Sequence, residues 1–226
     1  MKDDKLTIVF RIEIALLLNE SGGISMEKMD RLVMQIANLQ NSGIRTIVVS
    51  SGAIVLGSEK LELPGVPENP LDKQAVAAVG QAELISCYQS SFDYYNQVIA
   101  QVLLTSDIID YPERKENARN AFAALLDMGI IPVVNENDPV STCDIELDDN
   151  YPLALIVAEI VGADFIVVKL DMESRYMIVG DRQYPATIVD AENGLAPDFS
   201  AISAMSGNYH ACKGCFPASF NDIQVA

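Results

Sequence analysis

Basic residues are scarce in this chain: Lys and Arg total 15 against 32 Asp and Glu, a formal net charge of -17 over 226 residues. Such a surface repels nucleic acid and anionic membranes, and neither is expected as a partner. A phosphate-bearing ligand would have to be held locally, by backbone amides and a few cations. Cysteine is sparse too. The four, Cys87, Cys143, Cys212 and Cys215, are too few for a disulfide scaffold, which points to a reducing cytoplasm. The single histidine, His210, lies beside Cys212 and Cys215. That cluster falls short of the four ligands a closed structural zinc site takes, so no metal is expected there. Long apolar runs are missing as well. The most hydrophobic late window, Leu153 to Val168, carries Glu159 and Asp164 and is too short to span a bilayer. The opening MKDDKLTIVFRIEI mixes charges of both signs and is not read as a signal peptide.

No composition shift, internal repeat or low-complexity tract marks a linker, so one domain over 1–226 is expected. Half of the residues are hydrophobic, enough for a sizeable core. What fills the chain is an alternation of strand-like and helix-like segments. Leu6 to Ile12 reads as a strand. Ser25 then reads as an N-cap with Glu27 in the first turn, opening a helix with Met26, Met29, Leu32, Ile36 and Leu39 on its apolar face. Gly43 is its expected stop. Thr46 to Ser50 is a second strand running into the small-residue turn Ser50-Ser51-Gly52-Ala53, where a ligand can approach the backbone closely.

The three prolines of residues 61–71 predict a loop. A long helix is predicted over 72–95, with residues 77, 80, 84, 88, 92 and 95 on one side; Phe92, Tyr94 and Tyr95 are expected in the core. Gln97 to Leu104, Ile130 to Val134, Phe165 to Leu170 and Tyr176 to Gly180 are further strands. Asn117 to Met128 and Leu153 to Val161 are helices. The alternation argues for a mostly parallel sheet with helices on both faces.

Chemistry concentrates between Gly129 and Val161. A buried strand is expected to stop at Asn135-Glu136-Asn137-Asp138, at the carboxyl end where ligands bind in open α/β sheets. A second polar cluster, Asp148-Asp149-Asn150, precedes a helix and places Asp149 and Asn150 at a helix start, where backbone N–H groups welcome anions. Capped loops would use the same residue types.

Five segments carry a resemblance in order and in register: Val48-Val-Ser-Ser-Gly-Ala-Ile54, Lys73-Gln-Ala-Val-Ala-Ala-Val-Gly-Gln81, Ala100-Gln-Val-Leu-Leu-Thr105, Asn117-Ala-Arg-Asn120 and Ile131-Pro-Val-Val-Asn-Glu-Asn-Asp138. They resemble the glutamate 5-kinases of the amino acid kinase family, over residues from about 7 to about 180. The resemblance implies a three-layer αβα sandwich that uses ATP and Mg2+ to phosphorylate the side-chain carboxylate of glutamate, a step of proline synthesis. It implies that Ser51, Asp138 and Asn150 bind glutamate, with Gly52 and Ala53 lining the same pocket. It also implies a homo-oligomer. The RNA-binding-like domain that some members carry after the kinase domain is not expected here. The chemistry is consistent: an ammonium needs a carboxylate such as Asp138, and carboxylates need donors such as the Ser51 hydroxyl and Asn150.

The sequence departs from the family on the nucleotide side. The family's first strand ends in a Lys-x-Gly-Ser/Thr pattern; here the stretch is Arg11-Ile-Glu13-Ile-Ala15. Arg11 would stand in for the catalytic lysine without its compact geometry. Glu13 places an anion where phosphate should lie, and two like charges roughly 4 Å apart at an effective dielectric near 20 repel by about 4 kcal/mol. That is about three decades in binding or rate. The Gly-Asp-Asn-Asp motif reads Asp148-Asp149-Asn150-Tyr151. The nucleotide-contacting Thr-Asp pair reads Leu170-Asp171, leaving Asp171, with Ser174 in place of the usual glycine. The glycine loop near Gly207 is lost, and Lys213 and Lys169 are the nearest cations. Three functional expectations follow: a glutamate 5-kinase homologue with weakened or lost phosphoryl transfer, a pseudokinase acting as a binding or regulatory subunit, or a relative with another small acid as acceptor.

Overall fold

The structure, a computed structural model, describes residues 5–141, 150–169, 175–179 and 187–190. Its elements alternate as the sequence pattern requires: β1 (Thr7–Ile12), α1 (Met26–Asn41), β2 (Arg45–Ser50), α2 (Ala53–Lys60), α3 (Pro70–Tyr94), β3 (Ile99–Leu104), α4 (Pro112–Asp127), β4 (Ile131–Glu136), α5 (Tyr151–Val161), β5 (Phe165–Lys169), β6 (Arg175–Val179) and β7 (Thr187–Asp190). Among the described residues the strands form one seven-stranded sheet in the order β3-β4-β2-β1-β5-β6-β7. The first five run parallel, while β6 and β7 add an antiparallel edge.

The pleat sends alternate residues of β1 to opposite faces. Ile8, Phe10 and Ile12 pack with Leu32, Ile36, Leu84, Tyr88 and Phe92 of α1 and α3. Val9 packs with Phe122, Leu153 and Val157 of α4 and α5 on the other side. Helices thus cover both faces, in the three-layer αβα arrangement expected. Each fully buried Leu or Ile of these layers stabilises the fold by roughly 1.5–3 kcal/mol. Ser25 caps α1 by accepting from the Lys28 N–H at 3.4 Å, as its position predicts.

Several local expectations need correction. Met26 is half exposed and Val33 takes its place in the core, because the buried stripe of α1 begins one turn later. Tyr94 is 78% exposed and stacks edge-on against Tyr95, whereas Phe92 is fully buried. Tyr95 packs at the core's margin and donates to Asp30 at 3.0 Å. The strand β4 does not stop at Asn135: Asn135 and Glu136 pair with Leu103 and Leu104 of β3. Helix α4 begins earlier than expected, at Pro112, where proline fits the first helical turn.

Helix α2 is an addition. Its sequence AIVLGSEK shows no clean apolar stripe because it is buried on most sides, with Ala53, Ile54, Leu56, Gly57 and Ser58 all inaccessible. A Cβ at Gly57 would collide with the Val76 carbonyl, and one at Gly80 with the Ala53 carbonyl. These two glycines let α2 and α3 cross backbone to backbone, which fixes α2 at the carboxyl end of β2.

Candidate active site

Because β1, β2 and β4 are parallel, Ile12, Ser50 and Glu136 lie at the same, carboxyl end of the sheet. The polar residues predicted at strand ends collect there. Ser51 N–H donates to the Ile12 carbonyl at 3.2 Å, and its Oγ accepts from the Ile14 N–H at 3.1 Å. Ser51 therefore stitches the end of β2 to the turn after β1, and its hydroxyl hydrogen is not used in either bond. Gly52 follows with φ of +110° as the N-cap of α2; a Cβ there would run into the Ile14 side chain. Ala53 opens the helix and is buried.

The β2–β4 ladder pairs Val48 with Val133 and Val49 with Val134 and then ends. At the next position the side chain of Asn150, from the start of α5, lies between the two strands. Its Nδ2 donates to the Ser50 carbonyl at 2.6 Å and to Asn135 Oδ1 at 3.0 Å. Asn135 Oδ1 also accepts from the Glu136 N–H at 2.9 Å. A backbone carbonyl can only accept and a backbone N–H can only donate, so these two anchors set the sense of both amides. Both N–H groups of Asn150 are then used. It keeps only an acceptor, Oδ1, not the donor expected from the sequence. Asn135 is reversed: its Oδ1 is used, and its Nδ2 is buried with no partner among the described residues. Asn150 makes no side-chain cap bond to α5.

Asp138 sits in a short 3-10 turn after β4 and is 8% exposed. Burial first, then the neighbouring Glu136 charge, push its carboxyl up to about 6, with a Gln81 hydrogen bond acting the other way. Gln81 also donates from Nε2 to the Glu136 carbonyl at 3.0 Å. The Glu136 carboxylate accepts from the Ser106 N–H at 3.3 Å, the Ser106 hydroxyl at 3.1 Å and the Ser141 hydroxyl at 3.0 Å. It thus ties the loops after β3 and β4 together.

At the end of β1 the arrangement is different. Arg11 is buried, and its guanidinium donates to the carboxylate of Glu13, whose side chain is 38% exposed. The sequence left Glu13 as an anion with few cations to offset it. That expectation is corrected: the two residues neutralise each other. Asp148, Asp149, Asp171, Ser174, Lys213 and the His210/Cys212/Cys215 cluster lie outside the described residues, as does the side chain of Lys169.

The structure therefore brings Ser51, Gly52, Ala53, Asp138 and Asn150 to the carboxyl end of the sheet, with Arg11 on the neighbouring strand. Sequence reasoning passed over Asn135, Glu136, Gln81, Ser50 and Tyr88 as site components. The first two stood in the polar run at the end of β4, Gln81 and Ser50 in segments already singled out. Tyr88 carried no signal beyond one hydroxyl on an apolar helix face.

Residues 17–172 match the amino acid kinase family. The glutamate 5-kinase of Listeria innocua serovar 6a is 37% identical over 211 residues, spanning 92% of this chain and 76% of that protein. The glutamate 5-kinase of Enterococcus faecalis is 38% identical over 211 residues, spanning 92% and 78%. That of Streptococcus thermophilus is 39% identical over 178 residues, spanning 77% and 67%. Among solved structures, the T. acidophilum isopentenyl phosphate kinase product complex is similar at a TM-score of 0.50 and 13% identity, over 75% of this chain and 71% of that one. At that identity the likeness concerns the fold alone.

Proposed function

The chain belongs to the amino acid kinase family, and from that premise we propose a glutamate 5-kinase-like protein that keeps a pocket for glutamate while its phosphoryl transfer is weakened or lost. The observation that carries this reading is the Arg11–Glu13 ion pair. Phosphoryl transfer asks the protein mainly for positioning and for positive charge on the transferring group. Here the guanidinium at the end of β1 already has a carboxylate as its counterion, so local charge is near zero where a triphosphate needs a surplus of cations. ATP with Mg2+ fits this arrangement poorly, since its phosphates would have to displace Glu13 from Arg11. Asp171, the expected nucleotide-side residue, adds no cation either.

The glutamate side supports the other half of the reading. An α-amino acid head group presents an ammonium and a carboxylate. Asp138 supplies a charge for the first, Asn150 Oδ1 an acceptor, and the Ser51 hydroxyl and Asn135 Nδ2 supply donors for the second. Gly52 and Ala53 bring backbone close to that ligand without side-chain bulk. A homo-oligomer in the cytoplasm belongs to the same reading, checked by sedimentation of the purified chain.

The test is a pair of calorimetric titrations, L-glutamate and ATP with Mg2+ separately, beside a hydroxamate assay for glutamyl phosphate. Glutamate binding with little nucleotide binding and little hydroxamate is expected. Turnover at a rate ordinary for kinases would overturn the weakened-transfer half, and absence of glutamate binding the other.

A further inference from the structure

Ser50 is the point where three elements meet, and nothing in the site residues above accounts for its side chain. It is fully buried. Its backbone carbonyl takes the 2.6 Å hydrogen bond from Asn150 Nδ2, the shorter of the two that hold that amide. Its Oγ accepts from the Tyr88 hydroxyl at 2.9 Å and donates to the Ser51 carbonyl at 3.2 Å. Tyr88 comes from the C-terminal half of α3, is fully buried among apolar residues, and stacks on Phe92. Burial holds its phenol well above the ordinary range, so it stays a neutral donor.

The consequence follows from strand geometry. Beyond Val49 the ladder to β4 has ended, so no ladder bond to β4 orients the Ser50 carbonyl. A hydroxyl that accepts one bond and donates another has no rotational freedom left. The Tyr88–Ser50–Ser51 chain therefore ties two successive peptide planes together and anchors them to α3. With the Ser50 carbonyl held in place, the Asn150 amide that donates to it is held too, and with it the bond from Asn150 to Asn135 Oδ1.

We propose that Tyr88, acting through Ser50, is a positioning residue that holds the Asn150–Asn135 pair in place and thereby the donor and acceptor offered to an amino acid head group. The ligand half of this inference rests on the glutamate reading above; the positioning half does not. Tyr88→Phe keeps the ring and its stacking while deleting the donor, and Ser50→Ala deletes the link by another route should the first variant fold poorly.

The experiment follows the side-chain amide signals of Asn150 and Asn135 by 15N nuclear magnetic resonance, together with calorimetry of L-glutamate. Both variants are expected to shift the Asn150 and Asn135 amide signals and to quicken their exchange with solvent. They should also weaken glutamate by roughly fivefold, the scale of one net hydrogen bond. In a double-mutant cycle Tyr88→Phe should cost little further affinity once Asn150→Ala is present. A purely structural role would give additive losses in that cycle and would overturn the proposal, as would amide signals left in place in both variants. Shifted signals in a protein that takes up no glutamate would uphold the positioning role and remove the glutamate reading instead.

Discussion

Two ends of neighbouring parallel strands have met the same problem in opposite ways. At the end of β2 and β4, buried polar groups are matched only in part. Asn135 Nδ2 has no partner among the described residues, and Asp138 is buried beside a like charge with its carboxyl raised to about 6. At the end of β1 the charge is matched internally, because Arg11 and Glu13 form an ion pair. A buried charge or donor costs free energy unless it is paired. An unmatched group is therefore a place where a ligand can contribute, and an internally matched one is a place where a ligand must first compete.

The largest effect should come from removing the charge on the unmatched side. Asp138→Asn is expected to weaken glutamate by about 100-fold, the scale of a charge-assisted hydrogen bond lost from a buried site. Calorimetry checks it, and an unchanged affinity would place the ammonium elsewhere. The matched side should respond in the other direction. Glu13→Gly leaves Arg11 without that counterion, so inorganic pyrophosphate should bind tens of times more tightly than to the parent. The apo variant should lose about 1–3 kcal/mol of stability, between the surface and buried limits for ion pairs. If the melting temperature of Glu13→Gly is indifferent to pyrophosphate, the two strand ends do not differ in the way argued.

A third effect is set by pH. With Asp138 titrating at about 6, glutamate affinity should fall roughly tenfold between pH 7.5 and pH 5 as the carboxylate takes up a proton. A flat profile over that window would remove Asp138 from the site. A fourth effect is on stability. The raised carboxyl means the folded state binds the proton more tightly than the unfolded chain. Its contribution is fully present below the ordinary value of 3.8 and is lost as pH rises through about 6. Asp138→Asn should therefore melt higher than the parent at pH 8, by on the order of 2 kcal/mol, and the two should converge by pH 4.

Much of the fold was legible because it is written in local periodicity. The apolar face at 77, 80, 84, 88 and 92 is the buried side of α3, and Ser25 does cap α1. Helix α2 was illegible for the converse reason: buried on most sides, it lacks the contrast between faces that reveals a helix. The extension of β4 into Asn135 and Glu136 was hidden because polar residues usually end strands, whereas here β3 continues alongside.

The sequence by itself determined that the chain alternates strands and helices, that small and acidic residues stand at the strand ends, and that Arg11 and Glu13 stand at the end of the first strand. It could say which groups are present because residue type and spacing are local properties. Only the tertiary structure decided which of them meet. Asn150 finds the Ser50 carbonyl from 100 positions away and Asn135 from 15, and whether an amide offers a donor or an acceptor depends on partners that distant. The same holds for Glu13, whose charge reads as a defect along the chain and as a counterion once Arg11 is buried beside it.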